Sequence, residues 1–157
     1  DVPGTQLINL SSCGGYTIVP TAVTYCATKF YVSTFTEGLA WELIENGAKM
    51  RAKVLAPAAT QTEFGKKANN VDAYNYDKAF GTYHTSRQMA KFLMKLYDSD
   101  STLGIVDRKT FQFELRPPMF PYASSSAHNQ NPTHSNHQKS QQKSEAANQW
   151  EQSRGET

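Results

Sequence analysis

The chain has 157 residues, 38% of them apolar, and 16 Lys and Arg against 14 Asp and Glu leave a formal charge of +2. A balance this close to neutral, with the basic residues scattered, offers no electrostatic footprint for nucleic acid or for a charged membrane surface. No apolar run approaches the roughly eighteen residues of a membrane span, and no signal-peptide pattern opens the chain.

Two cysteines, Cys13 and Cys26, are too few for a disulfide framework and read as reduced thiols of a cytoplasmic protein. After Tyr122 the only large apolar residue is Trp150, among Ser, Asn, Gln, His, Lys and Glu. Such a segment cannot bury enough surface to offset its ordering entropy. The expected organisation is therefore a folded unit over residues 1–122 and a disordered, low-complexity polar tail over 123–157. His128, His134 and His137 in that tail lack the cysteines or paired carboxylates of a metal site, and no metal is expected.

In chain order, Thr5 to Leu10 is short, apolar and bounded by Pro3-Gly4 and by Ser11 to Gly15, the pattern of a buried parallel strand. Pro20 and Thr21 form a helix-start signal, with Thr24 as the other candidate cap. A helix is expected from about Thr21 to Glu45, ending at Asn46-Gly47. Ala27, Phe30, Phe35, Leu39, Leu43 and Ile44 supply its apolar surface, widened by Val23, Tyr31, Val32 and Trp41. That exceeds what one sheet face requires, so the helix either packs deep in its own domain or sets its outer face against another subunit.

Lys53 to Ala56 is the next strand, closed by Pro57, which cannot donate to a ladder. A strand–helix–strand order with so long a helix implies a right-handed parallel crossover. Residues 63–84 scatter Phe64, Tyr74, Tyr76, Phe80, Tyr83 and His84 among polar residues, an irregular segment anchored by aromatics. A further helix starts at Thr85 or Ser86 and runs to about Asp98. Leu103 to Val106 is a short strand, and Phe111, Phe113 and Leu115 alternate like an edge strand.

One constellation in this series carries chemistry. Ser12 ends the first strand, and thirteen residues later Tyr25 heads the long helix with Lys29 four residues on. Residues four apart share a helix face. A phenol in water keeps its proton until about pH 10, whereas an ammonium held beside it stabilises the phenolate and makes the proton transferable near neutrality. A hydroxyl such as Ser12 can hold a carbonyl oxygen while the phenol protonates it. A second Y-x-x-x-K, Tyr74 to Lys78, has Gln61 at the serine's distance and no strand ending there, so it reads as coincidence. In open α/β sheets ligands collect beyond the carboxyl ends of the strands, where Ser12 and the turn at Pro57 both fall.

The runs I-N-L-S-S-C-G-G, then Pro20, Y-C-A-T-K and V-L-A-P-A-A-T-Q-T-E-F resemble the short-chain dehydrogenase/reductase family over residues 5 to about 64, with its last helix and strand continuing to about 107. The resemblance implies an α/β fold, part of a Rossmann-like doubly wound parallel sheet in three layers, with the N-terminal half absent. It implies NAD or NADP as cofactor and a small carbonyl or alcohol as substrate. By the same resemblance Ser12 positions the substrate oxygen, Tyr25 transfers the proton, and Lys29 also binds the nicotinamide ribose. Pro57, Ala58, Thr60 and Thr62 form the turn beside the nicotinamide, Thr60 through its backbone and Thr62 through its hydroxyl. Residues 63–84 would cover the substrate, and the complete protein would be a homo-oligomer, dimer or tetramer.

Three features depart from the family pattern. Ala58 stands where the family usually has glycine, and alanine resists positive φ. Asp107-Arg108-Lys109 replaces a Gly-Gly turn. No G-x-x-x-G-x-G occurs, so the turn that receives a pyrophosphate is missing. The chain is expected to be the catalytic half of a longer enzyme; the alternative is a non-catalytic remnant serving only as an association or binding module.

Overall fold

The alternation along Ala52, Lys53, Val54, Leu55 and Ala56 sends neighbouring side chains to opposite faces of a strand, and all five are buried. A strand covered on both faces belongs in the middle of a layered sheet. In the computed structural model, which describes residues 2–123, it does. In chain order the elements are β1 (Gln6–Leu10), a 3-10 turn (Cys13–Gly15), α1 (Val23–Glu45), β2 (Arg51–Ala56) and β3 (Thr60–Gln61). They continue with α2 (Phe64–Asn69), α3 (Tyr76–Phe80), β4 (His84–Thr85), α4 (Ser86–Asp98), β5 (Leu103–Val106) and β6 (Phe113–Arg116). The main sheet has the order β1-β2-β5-β6, parallel as far as β5, with β6 antiparallel at its edge. β3 and β4 form a separate parallel pair.

Val54, Ala56, Leu103 and Ile105 pack on one face with Tyr16 against them. Leu55 and Val106 pack on the other with Met89 and Leu96 of α4. Asn9 Nδ2 donates to Thr36 Oγ1 of α1 across the first face. The sheet is thus the middle of three layers, the expected part of a Rossmann-like fold. Beyond Ala123 the expected polar tail, its histidines included, lies outside the described residues. Among the described residues no helix is long and apolar enough to cross a membrane, and no cluster of potential metal ligands occurs.

Two expectations for α1 need correction. Neither Thr21 nor Thr24 caps it: Ala22 is the N-cap, without a side-chain hydrogen bond, and Thr21 has a left-handed backbone (φ 64°). The buried stripe is not the apolar one, either. It consists of Cys26, Ser33, Thr36, Glu37 and Ala40, while Ala27, Phe35 and Ile44 lie exposed. Small and internally bonded side chains let the helix sit close to the sheet, and the large rings are left on its outer side. Tyr31 and Phe35 stack there with ring centroids 6.2 Å apart, 71% and 52% exposed. The helix stop is as expected, with Gly47 at φ 62° and the Ala48 amide donating back to the Leu43 carbonyl.

On the opposite face a lysine is built into the core. The Lys53 Nζ donates to the carbonyls of Leu96, Tyr97 and Ser99 at 2.8, 3.1 and 2.6 Å, closing the C-terminal end of α4. A cation there meets the carbonyls that a helix end leaves unpaired. Burial holds Lys53 below the ordinary lysine value. Thr85 caps the other end of α4 in a reciprocal capping box with Gln88. Replacing Lys53 by Met should leave those carbonyls without their cation and cost roughly 3 kcal/mol of folding stability, read as a lower denaturant midpoint at unchanged slope.

His84, which precedes α4, is stacked on Phe111 (4.6 Å between ring centroids) and set edge-on to Phe92. Burial pushes its imidazole below the ordinary value of 6.5. The folded state therefore favours the neutral ring and the unfolded chain binds more protons. The stabilisation is complete above the unfolded value and is lost as pH falls through the lower folded value. Stability should fall below about pH 6.5, and His84→Phe should flatten that part of the profile in denaturation series at successive pH values.

Candidate active site

β1 delivers its last side chains to the junction of sheet and helix. The Ser11 amide continues the ladder to the Leu55 carbonyl, and its buried hydroxyl donates to the Lys29 carbonyl at 3.0 Å and shares a hydrogen bond with Ser33 Oγ at 2.7 Å. Ser11 thus faces α1, which leaves Ser12 for the other side of the strand end. The Ser12 hydroxyl accepts from the Gly14 amide at 3.1 Å and reaches the Pro57 carbonyl only at 3.4 Å. That second contact is long for an O–H donor, so the proton is weakly held. The Cys13 amide donates to the same Pro57 carbonyl at 2.8 Å. One carbonyl after β2 therefore ties the serine turn to the end of the neighbouring strand.

Gly15 has no room for a side chain. A Cβ there would stand 2.5 Å from Ser33 Oγ and 2.7 Å from the Lys29 carbonyl, and still nearer Ser11 Oγ. The turn consequently lies directly on the first turns of α1. From those turns Tyr25 and Lys29 project on one face. The Lys29 Nζ donates to the Leu10 carbonyl at 3.2 Å and lies 5.9 Å from the Tyr25 ring centroid. Tyr25 Cε1 and Ser12 Oγ each lie 3.5 Å from the place where a Gly14 Cβ would stand, so at most twice that distance separates them. Tyr25 is 39% exposed, and its hydroxyl has no hydrogen-bond partner among the described residues. The serine, the tyrosine and the lysine thus meet at one strand end.

The turn after β2 lies beside them. The Thr60 hydroxyl is spent on the Ala58 carbonyl at 3.0 Å. Thr62 Oγ1 accepts from the Phe64 amide at 3.1 Å, and its own proton has no acceptor among the described residues. Tyr74 packs edge-on to Tyr76 at 4.9 Å and against Phe80, inside an aromatic cluster centred on Tyr76. Tyr76 anchors that segment by donating to the Thr62 carbonyl and accepting from the Gly65 amide, both at 3.0 Å.

A feature missed in the sequence stands behind the serine turn. Tyr16 follows the 3-10 turn and donates to buried Glu37 at 2.7 Å, and Glu37 also accepts from the amides of Met119 and Phe120 at 2.8 and 2.9 Å. Burial and the Glu37 carboxylate push the Tyr16 phenol above its ordinary value. The one available signal was a glutamate within the apolar stretch of the long helix, easily read as surface.

The short chain dehydrogenase family model matches residues 2–73, the stretch that carries all of these groups except Tyr74 and the later elements. That stretch, just under half of the chain, is similar to the short-chain dehydrogenase family. Among curated proteins it is 36% identical over 85 residues to the human dehydrogenase/reductase SDR family member 11, and 36% identical over 67 residues to an uncharacterized oxidoreductase of Staphylococcus saprophyticus. Those matches cover 53% and 43% of this chain but 32% and 27% of the relatives, so the chain spans about a third of their length or less. Among solved structures, a short-chain dehydrogenase from Sphingobium yanoikuyae in complex with NADPH superposes with a TM-score of 0.56 at 23% identity, over 68% of this chain and 39% of that one, a likeness of fold.

Both departures from the family pattern that the structure describes are accommodated. Ala58 is not among the residues with positive φ, and it packs against the core cluster below α4. Asp107 replaces the missing glycines by side-chain bonding. Its carboxylate accepts from the amides of Lys109 and Thr110, and the left-handed position falls to Phe111 (φ 59°).

The packing makes two neighbouring glycines unequal. Around Gly14 a Cβ would find ordinary contacts at 3.5 Å, whereas at Gly15 it would strike backbone and two serines. Gly15→Ala should lower the melting temperature by several degrees, on the order of 2 kcal/mol for a small domain, and Gly14→Ala by little; paired thermal scans check this.

Proposed function

We propose that the protein carrying this chain is an NAD(P)-dependent oxidoreductase that interconverts a carbonyl and an alcohol on a small molecule, with residues 1–122 as its catalytic half. The observation that carries this reading is the convergence of an exposed, unpartnered phenol, an amine and a weakly held hydroxyl at the carboxyl end of β1. In this reading Tyr25 gives its proton to the substrate oxygen in reduction and takes it back in oxidation. Lys29 offers positive charge to the phenolate left behind and is the group for a ribose hydroxyl. Ser12 turns its hydroxyl from the Pro57 carbonyl to the substrate oxygen and so orients it.

The residues present fit the nicotinamide end of a dinucleotide: Tyr25 and Lys29 on one side, and the turn Pro57, Ala58, Thr60 and Thr62 on the other. The free proton of Thr62 suits an amide carbonyl, while Thr60 has its hydroxyl engaged and contributes through its backbone. A bound nicotinamide supplies or takes the hydride. The relatives' printed names, dehydrogenase/reductase and oxidoreductase, agree with this reaction class. The exposed stacked rings of Tyr31 and Phe35 on α1 support a homo-oligomer, dimer or tetramer, and the unpaired thiols of Cys13 and Cys26 support a cytoplasmic setting.

The competing reading is an association module without chemistry, favoured for the isolated chain by the lack of a G-x-x-x-G-x-G turn. One substitution separates the two. In the complete protein Tyr25→Phe should lower turnover by about 10²–10⁴-fold, the usual share of a general acid–base group, with the cofactor dissociation constant nearly unchanged. Turnover equal to the parent's would refute the assignment.

A further inference from the structure

Beside the serine turn, at the same end of the sheet, lies a cleft of about 440 Å³, a volume in the range of small-molecule sites. Cys13, Tyr16 and Thr17, which follow Ser12, line it together with Asp107, Arg108 and Lys109 after β5 and Met119 after β6. One buried carboxylate ties the first and last of these segments together. Glu37 accepts from the Tyr16 hydroxyl and from the Met119 amide.

The charges at the rim do not cancel. Arg116 is paired with Glu114. The Asp107 carboxylate is occupied by the Lys109 and Thr110 amides and the Thr110 hydroxyl. The side chains of Arg108 and Lys109 have no hydrogen-bond or ionic partner among the described residues. Arg108 and Lys109 against the one carboxylate of Asp107 leave the mouth of the cleft with a net positive charge, which attracts an anion, and a guanidinium matches the planar fork of a carboxylate.

We propose that this cleft receives the carboxylate of an acidic carbonyl compound, a keto acid or the corresponding hydroxy acid, with Arg108 and Lys109 selecting the charge. The inference rests on the oxidoreductase reading for the identity of the reacting group, and on the cleft alone for the charge. The carboxylate sits at the β5–β6 turn and the carbonyl points back past Cys13 toward Ser12 and Tyr25.

The test is an NMR titration of the full chain with two probes, 4-oxopentanoate and its uncharged methyl ester. The acid should shift the amides of Cys13, Arg108 and Lys109 at concentrations at least tenfold below those the ester needs. In the variant carrying Arg108→Gln with Lys109→Gln that preference should shrink to within about threefold. Equal titration by acid and ester in the parent chain would overturn the proposal, as would an acid preference that survives the double substitution. Turnover by the complete protein is a separate readout. Acid-selective shifts without reduction of either probe would uphold the anion site and count against the oxidoreductase reading. Reduction of both probes alike, with equal titration, would do the reverse.

Discussion

The arrangement of the candidate site depends on the close docking of one turn on one helix. Ser11 places its hydroxyl between the Ser33 hydroxyl and the Lys29 carbonyl, and Gly15 lies where no side chain fits. These contacts bring the end of β1 against the first turns of α1. Without them Ser12 belongs to a strand and Tyr25 and Lys29 to a helix, with nothing to bring them together. The Lys29 ammonium adds a second tie by donating to the Leu10 carbonyl. The residue assigned to hold charge near the phenol thus also fixes the distance between strand and helix. Two serine hydroxyls, the Lys29 ammonium and the carbonyls they reach hold the constellation.

Two buried charged side chains organise the rest of the fold, one on each face of the sheet. Lys53 closes the end of α4 with three carbonyl contacts, and Glu37 gathers a phenol and two amides beside α1. Each works because its charge meets several dipoles at once, the condition under which burying an ion is tolerable. Glu37 has the wider reach. It fastens the segment after β6 across α1, where Phe120 stacks on Tyr16 at 5.3 Å and Tyr122 on Trp41 at 5.5 Å. The segment after β6 therefore stands directly behind the serine turn, and its position helps decide that of Tyr16.

Much of this was legible in the sequence because it obeys short periods. β5 and the Val54–Ala56 part of β2 read as apolar runs, and α4 carries its capping box and its stripe of Met89 and Leu96 openly. The candidate site residues were legible because Tyr25 and Lys29, four apart, share a helix face, and because the serine thirteen residues upstream matches the pattern of the family the chain resembles. The packing face of α1 was not. Ser33, Thr36 and Glu37 are buried because each has a specific partner: Ser11, then Asn9 with the Val32 carbonyl, then Tyr16 with two amides. Apart from the local Val32 carbonyl, these partners lie 21 to 83 residues away, where no periodicity reports them. Phe35 and Tyr31 misled for the converse reason, since their size argues for a core that the helix does not share with its own sheet.

The account holds that Ser12 and Tyr25 act on one substrate oxygen rather than on separate steps. A double-mutant cycle on the complete protein, combining Ser12→Ala with Tyr25→Phe and reading kcat/KM, addresses that directly. Groups that serve one transition state are strongly non-additive, because removing the first already forfeits what the second contributes. The double variant should lose no more than about threefold beyond Tyr25→Phe alone. Losses that multiply in full would contradict the account and leave the two hydroxyls with independent roles.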